Sequence, residues 1–434
     1  MKLSDKTIKR INILMLLGHT AVLIYYILLS NKVVQTIKPL PTSDFIYYWN
    51  LASDLSIYHK GGIIGFIYAP FKALGIAPYN AAWLVNMLFL ILVYLVTWFG
   101  LTKSTINQSD INQSDINQSV IKQVLIQILS TFGFTVFALW NTGYSGMVNA
   151  DFPNVALILA FVRFMSLYFE SKDKRMAILS GLFLFLAVAL RVKTGLALGI
   201  MTGATIVFYF GALRRDIRVR VLILTICVAV GFAAVTEIML RAQSDRPLDV
   251  ARQGRLQLYT GLLYTETGNM CGRWTREAFD KTLEEINEPL LTVINRHLSV
   301  KSKAYLLSIV GCKLQHVIEY DEFSFRELLA FGVKHRSYTE ADLEIVRKYE
   351  KVEESRVIWF KWLTLIVSLL LIIRHKFKGR NLSYLPVFIY GAFMILHSVF
   401  EIQARYMVEP LLWTFFVAII IFKYETKEVS KLGK

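Results

Sequence analysis

The stretch FPNVALILAFVRFMSLYF, residues 152–169, holds only one charged residue, Arg163. A helix needs about 20 mostly apolar residues to cross the hydrocarbon core of a bilayer, and this run comes close to that length. Nine further runs of similar character lie at about 11–29, 80–101, 122–139, 175–191, 195–212, 221–239, 357–373, 384–400 and 406–422. Ten runs predict an all-α polytopic membrane protein with about 10 (10–12) transmembrane helices.

The composition supports this class. Of the 434 residues, 55% are hydrophobic and only 18% are charged, which is outside the range of ordinary soluble domains. The net charge of +16 would fit a nucleic-acid partner, but lysine and arginine also collect on the cytoplasmic loops of membrane proteins. Because no basic stripe interleaved with aromatic residues occurs, membrane lipids are expected and nucleic acid is not.

The short loops indicate the orientation. Basic residues crowd the segments 170–175, 214–220 and 374–380 and the C-terminal tail. The positive-inside rule therefore places both termini in the cytoplasm of a multi-pass plasma (inner) membrane protein. The first run lacks a small-x-small cleavage site, so we interpret it as an uncleaved span. Three basic residues fall on the outer side, against the rule, and become candidates for function: Arg191, Lys193 and Arg405.

Three regions follow from this pattern. Residues 1–239 form an N-terminal transmembrane module whose first outer loop, 31–79, is expected to hold interfacial helices. Residues 240–356 form a small, mostly helical extracytoplasmic domain, in which Cys271 and Cys312 either pair or remain unrelated thiols. Residues 357–434 hold the last transmembrane helices and a cytoplasmic tail. The polar repeat INQSDINQSDINQS, residues 106–119, predicts a flexible inner loop over 102–121.

The first outer loop contains SDFIYYWNLA, residues 43–52. Ser43 or Asp44 can cap a helix, and Asp44, Tyr48 and Ala52 then share one face. The stretch is therefore either an interfacial helix within an aromatic belt or the site of a functional carboxylate.

Other ionisable residues near the outer boundary leave similar alternatives. Asp151 is either a helix cap before Pro153 or a functional group. Glu401 and Arg405, four residues apart, form a structural pair or part of a site, since ionisable residues at this depth are costly. Arg191 and Lys193 attract either lipid headgroups or the phosphate of a substrate.

Taken together, these residues follow an order that resembles a known superfamily. The order is Asp44 with Tyr47 and Tyr48, then Tyr68-Ala-Pro-Phe71, Asp151-Phe-Pro153, Arg191-Val-Lys193 and Glu401-Ile-Gln-Ala-Arg405-Tyr406. It is similar to the C-type (GT-C fold) glycosyltransferases that use polyprenyl-phosphate sugars, among them protein O-mannosyltransferases and aminoarabinose transferases. The chain departs from their pattern by having one acid, Asp44, in place of an acidic pair, and Lys193-Thr194 in place of Lys-Pro.

The resemblance implies that a sugar moves from a polyprenyl-phosphate donor to a hydroxyl of a glycan, lipid or protein at the extracytoplasmic face. Asp44 would be the catalytic base, and Asp151 would orient the acceptor or the base. Arg191, Lys193 and Arg405 would neutralise the leaving phosphate. The remaining substrate-binding candidates are Tyr47, Tyr48, Glu401 and Tyr406.

No cofactor is indicated by the sequence, because His59, His297 and His316 are scattered without the spacing of metal ligands. A transporter or flippase of lipid-linked glycans is an alternative, although the spans show no internal repeat and the best ionisable residues avoid the midplane. An O-antigen-type polymerase or ligase is another alternative, and it would leave Asp44 and Asp151 without a special role.

Overall fold

The computed structural model describes residues 5–39, 44–57, 63–102, 113–208, 217–242, 255–265, 271–319, 324–329, 333, 338–378, 385–399 and 409–421. Across these ranges the chain is helical and contains no strand, which confirms the all-α prediction. The first half holds α1 (Asp5–Ile37), α2 (Asp44–Leu51), α3 (Ile64–Ala73), α4 (Pro78–Thr102), α5 (Gln113–Tyr144), α6 (Asp151–Ser171), α7 (Lys174–Leu190) and α8 (Val192–Phe208). The second half holds α9 (Ile217–Ala242), α10 (Arg276–Glu284), α11 (Leu290–Ser299), α12 (Lys303–Glu319), α13 (Ser324–Glu327), α14 (Glu340–Lys378), α15 (Leu385–Val399) and α16 (Glu409–Ile421).

Each of the ten apolar runs coincides with a helix, but the helices differ in length. Within the described part of the chain, six are long and apolar enough to cross a membrane, namely α1, α4, α5, α6, α9 and α14. The apolar parts of α8, α15 and α16 are shorter. α7 has 17 residues, about 26 Å at the helical rise per residue, against a hydrocarbon core of about 30 Å. Length and composition therefore support six spans directly.

The helix α6 lies at the centre of the bundle. Of its membrane-length window, 67% is buried inside the protein, against 17% for α9. α6 packs against α7 and α4, while α1, α4 and α5 pack against one another. A helix that is apolar on all sides and surrounded by protein is expected at such a position. The N-terminal end of α6, at Asp151, consequently lies among several helix ends.

The loop predicted over 102–121 is only partly correct. α5 already begins at Gln113, so the second half of the polar repeat is helical, and residues 103–112 lie outside the described residues. Extending a helix adds one hydrogen bond for each residue fixed and needs no new nucleus. The long apolar helix that follows can therefore carry helical structure back into a polar sequence.

Residues 255–319 form a small module with its own apolar cluster, centred on Tyr259, Leu263 and Val293. Cys271 and Cys312 are joined by a disulfide, with 6.4 Å between their Cα atoms, which settles the alternative left open by the sequence. Beside the apolar cluster lies the carboxylate of Glu285, which accepts hydrogen bonds from several side chains. Burial raises the pKa of Glu285, but hydrogen bonds from Tyr259, His297 and Tyr264 outweigh it and hold the pKa below its usual value.

The helix α14 joins the end of the predicted extracytoplasmic domain to the apolar run 357–373 without a break. Its start has a capping box: Thr339 N donates to Asp342 Oδ2 at 3.0 Å, and Asp342 N donates to Thr339 Oγ1 at 3.2 Å. The helix then continues for 39 residues. The boundary predicted between 356 and 357 falls inside it, so the last outer helix and the following apolar run are one element.

The short helix α13 packs against the bundle as well. The Glu353 carboxylate accepts hydrogen bonds from Ser324 N (3.1 Å), Ser324 Oγ (2.6 Å) and Phe325 N (3.1 Å). The side chain of Phe325 is fully buried in the main hydrophobic cluster. On α5, Gly143 lies against Ser324, where an added Cβ would come within 2.7 Å of the Ser324 carbonyl carbon. The helix α13 is therefore docked onto the end of α5.

We expect Gly143→Ala to destabilise the protein by about 1–3 kcal/mol, because an added methyl group in this close contact forces α13 away from α5. The matched control is Gly199→Ala in α8, where no atom lies within 4 Å of an added Cβ. There the substitution is expected to be neutral or stabilising, since alanine favours helix. Thermal unfolding in detergent measures both. Equal melting temperatures for the two variants would contradict the docking of α13 on Gly143.

Candidate functional site

The junction between α7 and α8 is a single residue, Arg191. Its backbone is extended (φ −143°, ψ 103°), and its N–H donates to the carbonyl oxygens of Ala187 and Val188, both at 3.1 Å. Thr194 N in turn donates to the carbonyl oxygen of Arg191 at 3.0 Å. The end of α7 and the first turn of α8 therefore both form hydrogen bonds with the backbone of Arg191. These bonds fix the position of its Cα atom, from which the side chain extends.

The guanidinium of Arg191 forms an ion pair with the carboxylate of Asp151. Both side chains are largely buried, with exposed fractions of 14% for Arg191 and 13% for Asp151. A buried charge is costly unless it is paired, so the two opposite charges offset part of each other's burial cost. Asp151 is the first residue of α6, where the helix dipole also favours a negative charge.

Asp151 does not cap α6. The group that accepts the hydrogen bond of Phe152 N, at 3.2 Å, is Asn149 Oδ1, two residues before the helix begins. The residue at the cap position itself, Ala150, makes no side-chain cap bond. The interpretation of Asp151 as a simple helix cap is therefore wrong, and its described contact is with Arg191.

The junction is held from α6 by a second contact. Asn154 Nδ2 donates to the carbonyl oxygen of Ala187 at 2.6 Å, one turn before Arg191. Asn154 Oδ1 lies 3.3 Å from the hydroxyl of Thr194, on the other side of the junction. One amide side chain thus contacts both α7 and α8.

The last described helix also reaches the junction. The Thr194 hydroxyl lies 3.3 Å from Glu409 Oε1, at the start of α16. Glu409 is only 1% exposed, an expensive position for a carboxylate. Residues separated by more than 200 positions in the sequence therefore meet at this place.

Residues of the predicted first outer loop contact the same region. Ile63 N donates to the carbonyl oxygen of Ala189 at 3.2 Å. Tyr68, from the aromatic-x-Pro motif, is fully buried on α3, and burial raises the pKa of its hydroxyl, with an opposing contribution from the backbone of Asn149. Two motifs that the sequence places 80 residues apart, around Tyr68 and around Asp151, are thus neighbours.

The helix α2, which begins at Asp44, is attached to α3. Lys72 Nζ donates to the carbonyl oxygen of Trp49 at 3.0 Å, and Gly65 lies so close to Leu51 that an added Cβ would be 2.9 Å from Leu51 Cγ. The helix predicted from SDFIYYWNLA is present over Asp44–Leu51. It belongs to the same group of packed helices as Tyr68.

The predicted site residues divide into three groups. Asp151 and Arg191 are brought together. Tyr47 and Tyr48 are each 8% exposed in the main hydrophobic cluster, with ring centroids 5.5 Å apart. Asp44 is the first residue of α2, and Lys193 lies in the first turn of α8. Three predicted residues lie outside the described residues: Glu401, Arg405 and Tyr406.

Sequence reasoning missed Asn149, Asn154, Thr194 and Glu409 as members of the site. Asn154 is one polar residue in an apolar run, and Thr194 was noted only as a departure from a Lys-Pro pattern. The sole available signal was Glu409 itself, an acidic residue inside the apolar run 406–422.

Fold and site together define an all-helical protein with membrane-length apolar helices and a buried ion pair where several helix ends meet. Comparisons of the chain with protein-family models, with curated proteins and with solved structures each found no match.

Proposed function

We propose that this protein is an integral-membrane glycosyltransferase that moves a sugar from a polyprenyl-phosphate donor to an acceptor hydroxyl at the extracytoplasmic face of the plasma membrane. The observation that carries the proposal is the Asp151–Arg191 pair at the α7–α8 junction, in contact with the first outer loop and with α16. In this proposal, all ten apolar helices cross the membrane, with α7, α8, α15 and α16 as the short crossings.

The disulfide supports the sidedness. Disulfides persist in oxidising surroundings and are rare in the cytosol. The Cys271–Cys312 bond therefore favours an extracytoplasmic location for the module 255–319, between the candidate spans α9 and α14. This argument is independent of the charge of the loops and agrees with it.

Contacts extend the same sidedness to the candidate site. Tyr338 OH donates to the carbonyl oxygen of Ile37 at the end of α1, at 2.7 Å, and Ser324 lies against Gly143 near the end of α5. The C-terminal ends of α1 and α5 are thus on the side of the disulfide. Because α6 begins seven residues after α5 ends, Asp151 and Arg191 belong to that side as well.

The proposed chemistry is a displacement at the anomeric carbon. The oxygen of the acceptor hydroxyl forms a bond to the anomeric carbon, and Asp44 takes the proton of that hydroxyl. At the same time the bond between the anomeric carbon and the phosphate oxygen breaks, and the polyprenyl phosphate leaves. Arg191 stabilises the negative charge that stays on the polyprenyl phosphate, assisted by Lys193 and Arg405. Asp151 holds the Arg191 guanidinium in place. Tyr47, Tyr48, Glu401 and Tyr406 are proposed to contact the substrates.

We expect Arg191→Gln to lower sugar transfer about 10²–10³-fold, the usual effect of removing a group that stabilises transition-state charge. Arg191→Lys should restore part of the activity, because it keeps the charge and loses the planar fork. The measurement is transfer by the purified protein with a radiolabelled polyprenyl-phosphate sugar.

The matched control is Arg276→Gln, which removes an arginine from an exposed ion pair with Asp280 and should leave transfer unchanged. Transfer by Arg191→Gln at the control level would contradict the role of Arg191. Movement of the labelled donor across vesicle membranes without sugar transfer would identify a carrier and contradict the proposed reaction.

A further inference from the structure

Glu409 stands out among the described residues that no step of the proposed reaction uses. It lies at the start of an apolar helix and is 1% exposed, yet an apolar residue there would avoid the cost of burying a carboxylate. The hydroxyl of Thr194 lies 3.3 Å from Glu409 Oε1. A costly residue that touches a functional junction calls for an explanation in terms of that junction.

Thr194 connects this carboxylate to Arg191. Its backbone N–H donates to the carbonyl oxygen of Arg191 at 3.0 Å, while its fully buried side chain lies between Glu409 and Asn154. A change in the position of the first turn of α8 would therefore shift the backbone from which the Arg191 side chain extends. Asp151 holds that side chain at its guanidinium end.

We infer that Glu409 is a positioning residue for Arg191, acting through the Thr194 hydroxyl to hold the first turn of α8 and hence the place of the guanidinium. The inference rests on the proposed function, in which Arg191 meets the donor phosphate. Two carboxylates then act on one cation in different ways: Asp151 contacts the guanidinium, and Glu409 fixes the backbone behind it. The C-terminal helix α16 thereby takes part in recognising the phosphate.

The test measures binding and does not depend on the acceptor. The full-length protein in detergent is titrated with farnesyl phosphate, and the same titration with farnesol reports the contribution of the lipid chain alone. Thr194→Val and Glu409→Leu each remove the hydrogen bond. Each should weaken the binding of farnesyl phosphate about fivefold, a moderate loss because Asp151 still holds the guanidinium, and should leave the binding of farnesol unchanged.

Conservative variants separate positioning from general damage. Thr194→Ser keeps the hydroxyl and Glu409→Gln keeps an acceptor oxygen, so both should bind farnesyl phosphate within about twofold of the wild type. The double variant Thr194→Val/Glu409→Leu should bind no more weakly than Thr194→Val alone, because that substitution already removes the contact with Glu409.

Each contrary outcome has its own meaning. The positioning role would be overturned if Thr194→Val and Glu409→Leu left the ratio of farnesyl phosphate to farnesol affinity unchanged. That ratio is unchanged when neither affinity falls and also when both fall equally. A wild-type protein that binds farnesyl phosphate no better than farnesol would instead overturn the phosphate-binding part of the proposed function. The two failures are distinguishable because only the second is seen in the wild type.

Discussion

Asp44→Asn is expected to lower sugar transfer about 10²–10⁴-fold while the abundance of the protein stays near that of the wild type. Asparagine has no basic carboxylate, so the proton of the acceptor hydroxyl loses its proposed base. At the first residue of a helix, asparagine loses only the favourable interaction of a negative charge with the helix dipole, typically about 0.3–1 kcal/mol, so α2 should still form. The measurement is glycan transfer in cells that express each variant at matched levels.

Two further variants sharpen this test. Asp44→Glu keeps the charge but moves the carboxylate by about an ångström, which should also impair transfer because catalysis needs the base closely positioned. Asp54→Asn is the matched control: Asp54 lies in the same loop and accepts hydrogen bonds from Ser56 N and Oγ at 3.0 and 2.7 Å, and these bonds hold its pKa below the usual value. Near-normal transfer by Asp44→Asn would mean that Asp44 only caps a helix.

Cys271→Ser should produce the largest loss of stability. The disulfide joins residues 41 positions apart. In the chain-entropy account, closing a loop of that length lowers the conformational entropy of the unfolded chain and so raises the free energy of unfolding by about 4 kcal/mol. The small apolar cluster of the module 255–319 has few residues with which to offset such a loss. Limited proteolysis of the purified protein should therefore show cleavage within this module at a lower temperature than in the wild type.

Cys227→Ser provides the control, because Cys227 is an exposed free thiol on α9 and its removal should leave the cleavage temperature unchanged. The disulfide cysteines Cys271 and Cys312 also test on which side of the membrane the site lies. In intact cells, Cys271 and Cys312 should resist alkylation until a membrane-impermeant reductant is added. Free thiols at both positions in untreated cells would contradict an extracytoplasmic site.

The helices could largely be predicted from the sequence because their causes are local. Each apolar run contains enough hydrophobic side chains in one stretch to define a helix, and the capping box at Thr339 is formed by residues three positions apart. The start of α5 could not be predicted in this way. Its polar repeat has the composition of a loop and becomes helical only as the continuation of a longer helix.

The candidate site divides along a similar line. Asp151 and Arg191 each attracted notice from the sequence because charge is costly near a membrane, a property of the single residue. Their pairing was not predictable, since it depends on how α6 and α7 pack. The same holds for the disulfide, where the sequence left open both pairing and two unrelated thiols, and the structure shows the pair.

Tertiary structure alone assigned a place to Asn149, Asn154, Thr194 and Glu409. In the sequence, an asparagine before a helix, a polar residue in an apolar run and an acid ahead of a proline each have an ordinary local interpretation. The contacts of Asn154, Thr194 and Glu409 at the α7–α8 junction connect positions up to 215 residues apart. Local sequence determines whether a segment becomes a helix, because backbone hydrogen bonds and hydrophobic periodicity act over a few residues. Which side chains meet at the helix ends is decided by packing, because those distances depend on all the helices together.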